Sequence, residues 1–146
     1  MNSDTLDRLD QMFAESPMMR AEDVPTQDEV DAASHEIGIP FPEDYREFLL
    51  RYGGAMVGPY PVFGLRPVDV MDDDRWSVVD ITGEIRSERL DGVSKWLVFS
   101  EDHAGNPIGM DADGKVWIYD HDFGGVAKLA EDFEEYVRTQ CLKLPT

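Results

Sequence analysis

The chain has 146 residues, of which 42% are hydrophobic and 10% aromatic, a composition that excludes a disordered acidic tail and predicts one globular domain with a sizeable core. Its 31 acidic and 13 basic residues give a net charge of −18, which would repel nucleic acid and anionic membranes and attract cationic partners. We therefore expect no direct binding to nucleic acid. Cys141 is the only cysteine, which excludes an internal disulfide.

The acidic residues are unevenly distributed along the chain. Residues 1–36 contain ten acidic and two basic residues, whereas residues 37–67 contain three of each. Met1 to Phe13 lack the basic segment and apolar run of a signal peptide, and no stretch approaches the roughly 20 apolar residues of a membrane span. We therefore expect a cytoplasmic protein with no membrane association.

The first predicted element is a helix from about Ser3 to Glu15. Its apolar residues recur at helical spacing, and Ser3 is its expected N-terminal cap. Residues 17–25 begin and end with proline and are expected to form a linker. We expect residues 1–25, this helix and linker, to form one compact unit with a domain over residues 26–146.

The next predicted elements are two helices. Thr26 and Glu29 have the spacing of a capping box, and the helix that they begin should end at Gly38. Pro42 fits the first turn of the following helix, because that position needs no amide donor. Large apolar residues then recur on one side, and Gly53 or Gly54 is expected to supply the left-handed cap that ends the helix. The motif over this helix and its approach comprises Pro40, Pro42, Tyr45, Phe48, Leu49, Tyr52, Gly53 and Gly54.

After Gly54 the pattern changes to one that is typical of strands. Tyr60 to Leu65 predicts a strand, and Pro67 to Met71 a second short one. Ser77 to Leu90 fits both a helical period and strand propensities, and we predict a helix. Trp96 to Ser100 is a continuous apolar run typical of a central strand.

The C-terminal part predicts a hairpin followed by a helix. Pro107–Met110 and Val116–Tyr119 flank a turn that closes with an Asp-Gly pair at Gly114. Gly124-Gly125 is expected to break the sheet. A helix from about Leu129 to Leu142 then ends the chain, since its apolar residues share one side.

Some groupings match fragments of known sites. Asp122-Phe123-Gly124 is the metal-binding tripeptide of protein kinases, but the glycine-rich loop, strand lysine and H-R-D loop of a kinase are absent. Asp111–Gly114 matches part of a calcium loop, but Lys115 occupies a ligand position, which favours a hairpin turn. Cys141 is expected to be an inert core thiol.

Two histidines and three acids form a further candidate site. We expect them near one edge of the sheet, where two imidazoles and carboxylates can ligate a divalent metal. Their spacing matches no known metal motif, so we expect neither metal nor cofactor. The residues are His103, His121, Asp102, Asp120 and Asp122.

A series of short motifs follows in a set order between Thr26 and Val137. The motifs are Gly38–Tyr45, Phe48-Leu49, Tyr52–Gly54, Val62–Leu65, Leu97–Ser100, Gly105–Pro107, Lys115–Trp117, Tyr119–Asp122 and Phe133–Tyr136. Their order and spacing resemble the SUKH superfamily, which includes a fungal regulator of cell-wall synthesis and many bacterial proteins. One departure is Gly53, where the family usually has asparagine, and both residues tolerate positive φ.

The resemblance implies an α+β single domain, with helices packed on a mostly antiparallel sheet and helices at both termini. It also implies a binding module rather than an enzyme, with no catalytic residues. Many bacterial members look like immunity proteins that bind and neutralise a toxin, often a nuclease, and an acidic surface suits a basic toxin. We predict a partner-binding surface, with Trp76 as its exposed aromatic anchor, formed by Asp72, Asp73, Asp74, Trp76, Asp102, Asp111, Asp113, Asp120 and Asp122.

Other hypotheses remain open at the level of sequence. The first is an intracellular regulator or scaffold that binds a housekeeping protein, and the second is a metal-dependent hydrolase using His103 and His121. A homodimer is also compatible with the sequence. The acidity could serve only to keep the protein soluble.

Overall fold

The computed structural model describes residues 1–145, so Thr146, the last residue of the expected domain, lies outside the described residues. Within residues 1–145 the elements follow in the order α1 (Ser3–Glu15), a 3₁₀ turn (Pro17–Met19), α2 (Gln27–Ile37), α3 (Glu43–Tyr52), β1 (Ala55–Val57), β2 (Tyr60–Val62), α4 (Val78–Ser87), β3 (Leu97–Glu101), β4 (Pro107–Met110), β5 (Val116–Asp120), β6 (Gly125–Ala130), α5 (Phe133–Tyr136) and a π-helical turn (Val137–Cys141).

The strands of the described part form two antiparallel sheets. β1 and β2 are a hairpin, and β3, β4, β5 and β6 follow one another as neighbours in a four-stranded meander. Met110 pairs with both Leu97 and Val116, and Gly125 pairs with Asp120. Helices and strands thus share one chain with helices near both ends, which confirms the predicted α+β class.

The core is centred on aromatic rings from α3, β3 and α5. The ring of Phe133 packs edge-on against those of Tyr45, Phe48 and Phe99, with centroid distances of 5.2, 5.4 and 5.4 Å. Each such pair contributes about 0.5–1.5 kcal/mol beyond its buried area. The Tyr45 hydroxyl donates to the Phe63 carbonyl at 2.6 Å, so the buried phenol is satisfied. The predicted apolar side of α3 is therefore confirmed.

Helix α1 packs on this core. Leu9 and Phe13 are buried, and the Phe13 ring lies 5.0 Å from that of Tyr52. The Tyr52 hydroxyl donates to Asp10 at 2.6 Å, which connects α1 to α3. Because α1 carries part of the core, removing it would expose apolar surface of α3.

The predicted helix ends are mostly confirmed. Thr26 and Glu29 form both bonds of the capping box, and Gly38 ends α2 at φ 84°. Ser3 is not the cap of α1, because the Asn2 side chain accepts the N–H of Asp4 instead. Pro42 lies one position before α3 rather than in its first turn, since its ψ of 150° is extended.

The largest errors of prediction lie in the sheets. Gly124-Gly125 does not break the sheet, because Gly125 begins β6 and pairs with β5. The hairpin strand Ala55–Val57 was not predicted, and residues 67–71 form a turn instead of the predicted strand. The ambiguous stretch 77–90 contains α4, as predicted.

The predicted C-terminal helix begins too early. Leu129 belongs to β6, and α5 begins at Phe133, because the Asp132 side chain caps it by accepting the N–H of Glu135 at 2.7 Å. The last turn, Val137–Cys141, widens to a π-helix. None of the helices within residues 1–145 is both long and apolar enough to cross a membrane.

Candidate partner-binding site

The antiparallel order of the large sheet places the predicted acidic residues at two opposite ends. The β3–β4 and β5–β6 loops lie at one end, with Asp102, Asp120 and Asp122, because alternate connections of a meander share an end. The β4–β5 loop, with Asp111 and Asp113, lies at the other end. The predicted surface is therefore divided in two.

The turns at residues 102–106 and 111–115 have the same geometry. In each, the carboxylate of the first aspartate accepts two main-chain N–H groups. Asp102 accepts those of Ala104 and Asn106, both at 2.9 Å. Asp111 accepts those of Asp113 and Lys115, at 2.9 and 3.1 Å. A glycine with a φ of 81° completes both turns. The two aspartates thus hold the backbone of their turns in place.

Asp111 and Asp120 have further structural contacts. The second carboxylate oxygen of Asp111 accepts the indole N–H of Trp117 at 2.9 Å, and the Asp120 carboxylate accepts the N–H of Asp122 at 2.9 Å. The carboxylates of other predicted partner-binding residues, in contrast, accept no hydrogen bond from any residue in 1–145 and are available for contact with another protein. These are Asp72, Asp73, Asp74, Asp113 and Asp122.

Asn106 joins the two loops at one end of the sheet, a role that was not predicted from the sequence. Its side chain is 5% exposed. Its amide nitrogen donates to Asp102 at 3.0 Å, and its oxygen accepts from the main-chain N–H of His121 at 2.9 Å. The sequence signal for this role lay in two of the motifs that carry the resemblance. Gly105–Pro107 contains Asn106, and Tyr119–Asp122 contains His121, whose N–H it accepts.

The two histidines have separate partners. The His103 ring stacks on Tyr60 at 5.3 Å and contacts the Pro59 carbonyl through Nε2 at 3.1 Å. The His121 ring contacts Asn106 through Nδ1 at 2.7 Å. Across residues 1–145, no three His, Cys, Asp or Glu side chains come together as a metal site would require. The geometry therefore offers no support for the metal-dependent hydrolase.

The exposed aromatic residue of this region is Phe123, not Trp76. Trp76 is half-buried, and its indole N–H donates to the Asp73 carbonyl at 2.9 Å. Phe123 is 88% exposed at the tip of the β5–β6 loop, directly after Asp122. An exposed phenyl ring beside a free carboxylate can anchor a protein contact.

A groove lies between the β1–β2 hairpin and the loop before α4. Its volume is about 310 Å³, and its lining includes Met56, Pro61, Met71, Asp72, Asp102 and His103. We call it the hairpin groove. Because Asp72 and Asp102 line it together, it connects the loop at 72–76 to the β3–β4 loop.

The three neighbouring loops form one acidic surface. The hairpin groove joins residues 72–76 to residues 102–106, and Asn106 joins the latter to residues 120–124. We call these three loops the acidic end. It contains most of the predicted partner-binding residues but not Asp111 or Asp113.

The family is decided by comparison with known proteins. A family model described as SMI1 / KNR4 family (SUKH-1) matches residues 24–139, well over half of the chain. The chain belongs to this family. This confirms the SUKH resemblance, and α1 lies outside the matched segment. No curated protein matches the chain.

The fold explains the residue pattern of this SUKH-1 chain. Residues 38–54 build α3 with its approach and cap, so this motif forms one wall of the core. The motif at 105–107 supplies the buried amide of Asn106, and the motif at 119–122 supplies the His121 groups that it binds. The motifs near the acidic end therefore fix the shapes of loops.

Proposed function

We propose that this SUKH-1 chain is a protein-binding module, an immunity protein that neutralises a basic toxin domain in the cytoplasm through its acidic end. The observation that carries the proposal is that free carboxylates and the exposed ring of Phe123 both belong to the acidic end. The side-chain carboxylates of Asp72, Asp73, Asp74 and Asp122 accept no hydrogen bond within residues 1–145, and Phe123 is 88% exposed on the same surface.

Charge complementarity supports a basic partner. A nuclease presents a cationic cleft for phosphates, and carboxylates that keep their charge in water can cover that cleft and accelerate association. Asp102 and Asp120 contribute through the turns that they hold rather than as free contacts. Asp111 and Asp113 lie at the opposite end of the sheet, so we leave them out of the proposed surface.

An exposed ring gives the proposed interface a centre. Tight protein interfaces bury on the order of 1,600 Å² and concentrate their binding energy in a few aromatic or arginine residues. Phe123 protrudes from a loop whose backbone is held by Asn106 and Asp120, which accept the main-chain N–H groups of His121 and Phe123. We therefore expect Phe123 to fill a pocket of the partner.

The test is capture of the partner from the native cell with the tagged chain, followed by washes at low and then high salt. We expect recovery of a basic toxin-like domain that leaves at high salt, because exposed charge pairs are screened. Recovery of only a salt-resistant housekeeping protein would contradict the proposal and favour a regulator or scaffold.

Two triple variants distinguish the effect of the acidic end on toxin binding from the effect of the overall net charge. The first changes Asp72, Asp73 and Asp74 to Asn, and we expect it to weaken inhibition of the captured toxin at least about tenfold. The matched control removes three exposed charges elsewhere, through Asp7→Asn, Glu22→Gln and Glu36→Gln. Equal weakening by both variants would show that overall charge, not the acidic end, drives binding.

A further inference from the structure

We infer that the hairpin groove takes one basic side chain, a lysine or arginine that projects from the protein partner. This inference rests on the proposed function and assigns to it a contact between single residues. It comes from the pairing of an apolar floor with a carboxylate rim in one concave surface.

The floor of the hairpin groove is apolar. Met56 and Pro61 come from the β1–β2 hairpin, Phe63 follows it, and Met71 comes from the loop before α4. Phe63 is 2% exposed, so the bottom of the groove belongs to the packed core. Lysine and arginine bury their aliphatic stems along surfaces of this kind while their charged ends remain near water.

The rim of the groove is anionic. The carboxylate of Asp72 accepts no hydrogen bond within residues 1–145, and Asp102, the first residue of its turn, also lines the groove. The one guanidinium in the lining, that of Arg75, is already neutralised: it contacts Glu101 at 2.8 Å and Glu84 at 3.1 Å. An entering cation therefore meets free negative charge, whereas an acidic side chain would be repelled.

The walls of the groove are held in place. Hydrogen bonds to Glu101, and after them those to Glu84, raise the pKa of Arg75 above its ordinary value, because these contacts favour the charged guanidinium. On the other side, the His103 ring is stacked on Tyr60 and bonded to the Pro59 carbonyl. A preformed groove loses little entropy when a side chain enters.

The test uses NMR of the chain labelled with ¹³C at its methionine methyl groups. Seven methionines are present, and two of them, Met56 and Met71, line the groove. The probes are n-butylguanidinium and n-butylammonium ions, with n-butanol as the neutral probe of similar length. We expect saturable shifts of Met56 and Met71 with both cations and none at Met18, which is 50% exposed elsewhere.

Two conservative variants check the rim. Asp72→Asn should weaken binding of either cation about two- to fivefold, the range of an exposed charge pair, whereas Asp113→Asn at the other end of the sheet should not change it. Equal shifts at Met18, or equal binding of n-butanol, would overturn the inference. Toxin inhibition by a chain whose groove binds neither cation would overturn this inference alone and leave the proposed function intact.

The experiments give a different result when the proposed function is wrong and the inference about the groove is right. If the groove binds both cations as expected but no basic toxin domain is captured, the groove remains a cation site while the immunity role is lost. An inhibition constant for the captured toxin that Asp72→Asn leaves unchanged would also overturn the inference, because the proposed partner contact would then be dispensable.

Discussion

The side-chain oxygen of Asn106 accepts two hydrogen bonds from His121, one from its main-chain N–H at 2.9 Å and one from its ring Nδ1 at 2.7 Å. A main-chain N–H can only donate, so the amide oxygen must face His121 and the ring nitrogen that shares it must carry a proton. The amide nitrogen then donates to Asp102 at 3.0 Å. One buried amide therefore sets the tautomer of His121 and joins two loops of the acidic end.

The first prediction concerns removal of this amide. Asn106→Leu keeps the approximate volume but leaves a carboxylate oxygen of Asp102 and two donors of His121 without their partner. We expect the free energy of unfolding to fall by about 2–3 kcal/mol, which urea denaturation at neutral pH would measure. A loss below about 0.5 kcal/mol would show that water satisfies these groups equally well.

The matched variant Asn106→Asp tests the charge at the same position. It places a second carboxylate near that of Asp102, and repulsion raises the pKa of one of the pair above its unfolded value. The folded state then binds a proton more readily than the unfolded state, so the stability deficit should shrink as the pH falls from 7 towards about 4.5. A deficit that is independent of pH would contradict this explanation.

The second prediction compares two aspartates of one loop. Asp111→Ala removes the acceptor of three hydrogen bonds, from Asp113, Lys115 and Trp117. We expect a loss of about 1–3 kcal/mol in the free energy of unfolding, together with a change in Trp117 fluorescence. Asp113→Ala removes a carboxylate that accepts nothing within residues 1–145, so its effect should stay within about 0.5 kcal/mol. Similar losses in both variants would refute the structural role of Asp111.

Predictions succeeded where chemistry between near neighbours decides the structure. The capping box of Thr26 and Glu29 and the left-handed glycine Gly38 need only residues within one turn, and all were predicted. The cap of α3 was predicted as Gly53 or Gly54, and it is Gly53. Strand β6 was missed because it begins with glycine and exposes residues 125–128, so it lacks strand alternation. Its backbone is held by pairing with β5, a tertiary contact.

The candidate site shows the same limit. The acidic loops were predicted, as was the closeness of Asp102 to Asp120, but the buried amide of Asn106 that joins their loops depends on tertiary packing and was missed. Whether an aromatic residue is exposed also depends on packing. The half-buried Trp76 donates its indole N–H to the Asp73 carbonyl, whereas Phe123 is 88% exposed. Residue types alone could not distinguish the two rings.

The third prediction concerns Gly53, where the family usually has asparagine. Its φ of 77° suits asparagine, but a Cβ there would lie 2.6 Å from the carbonyl oxygen of Asp23 and 3.1 Å from Cβ of Ala21. The linker that crosses this helix end would have to move, so Gly53→Asn should cost about 1–3 kcal/mol of unfolding free energy. Thermal unfolding followed by circular dichroism would measure the loss.

Gly38→Asn is the control for this prediction. Gly38 has a similar φ of 84° and ends α2, but a Cβ there would meet nothing within 4 Å. Asparagine tolerates this conformation, so we expect a cost below about 1 kcal/mol. If Gly53→Asn costs no more than Gly38→Asn, the crossing linker adjusts freely and close approach does not explain why glycine occurs here.

The last prediction concerns the thiol of Cys141, which is 3% exposed between the π-helical turn and the core. Burial raises its pKa from 9.0 to about 12, so the native thiol stays protonated at neutral pH. We expect a thiol reagent such as Ellman's reagent to label the chain at the rate of global unfolding, and at once in urea. Rapid labelling of the native chain at neutral pH would show that this turn opens locally.

The same pKa shift predicts how Cys141 affects stability in alkali. Above pH 9 the unfolded thiol loses its proton while the folded thiol keeps it, so the unfolded state is favoured increasingly between pH 9 and about 12. Tyr136 and Tyr45 are also buried, and burial raises their pKa values, so they add to this slope. Cys141→Ala removes the contribution of the thiol and also the part of the Tyr136 pKa shift that Cys141 causes, so the wild-type chain should lose stability with pH more steeply than the variant. Parallel slopes would mean that the thiol ionises equally in both states.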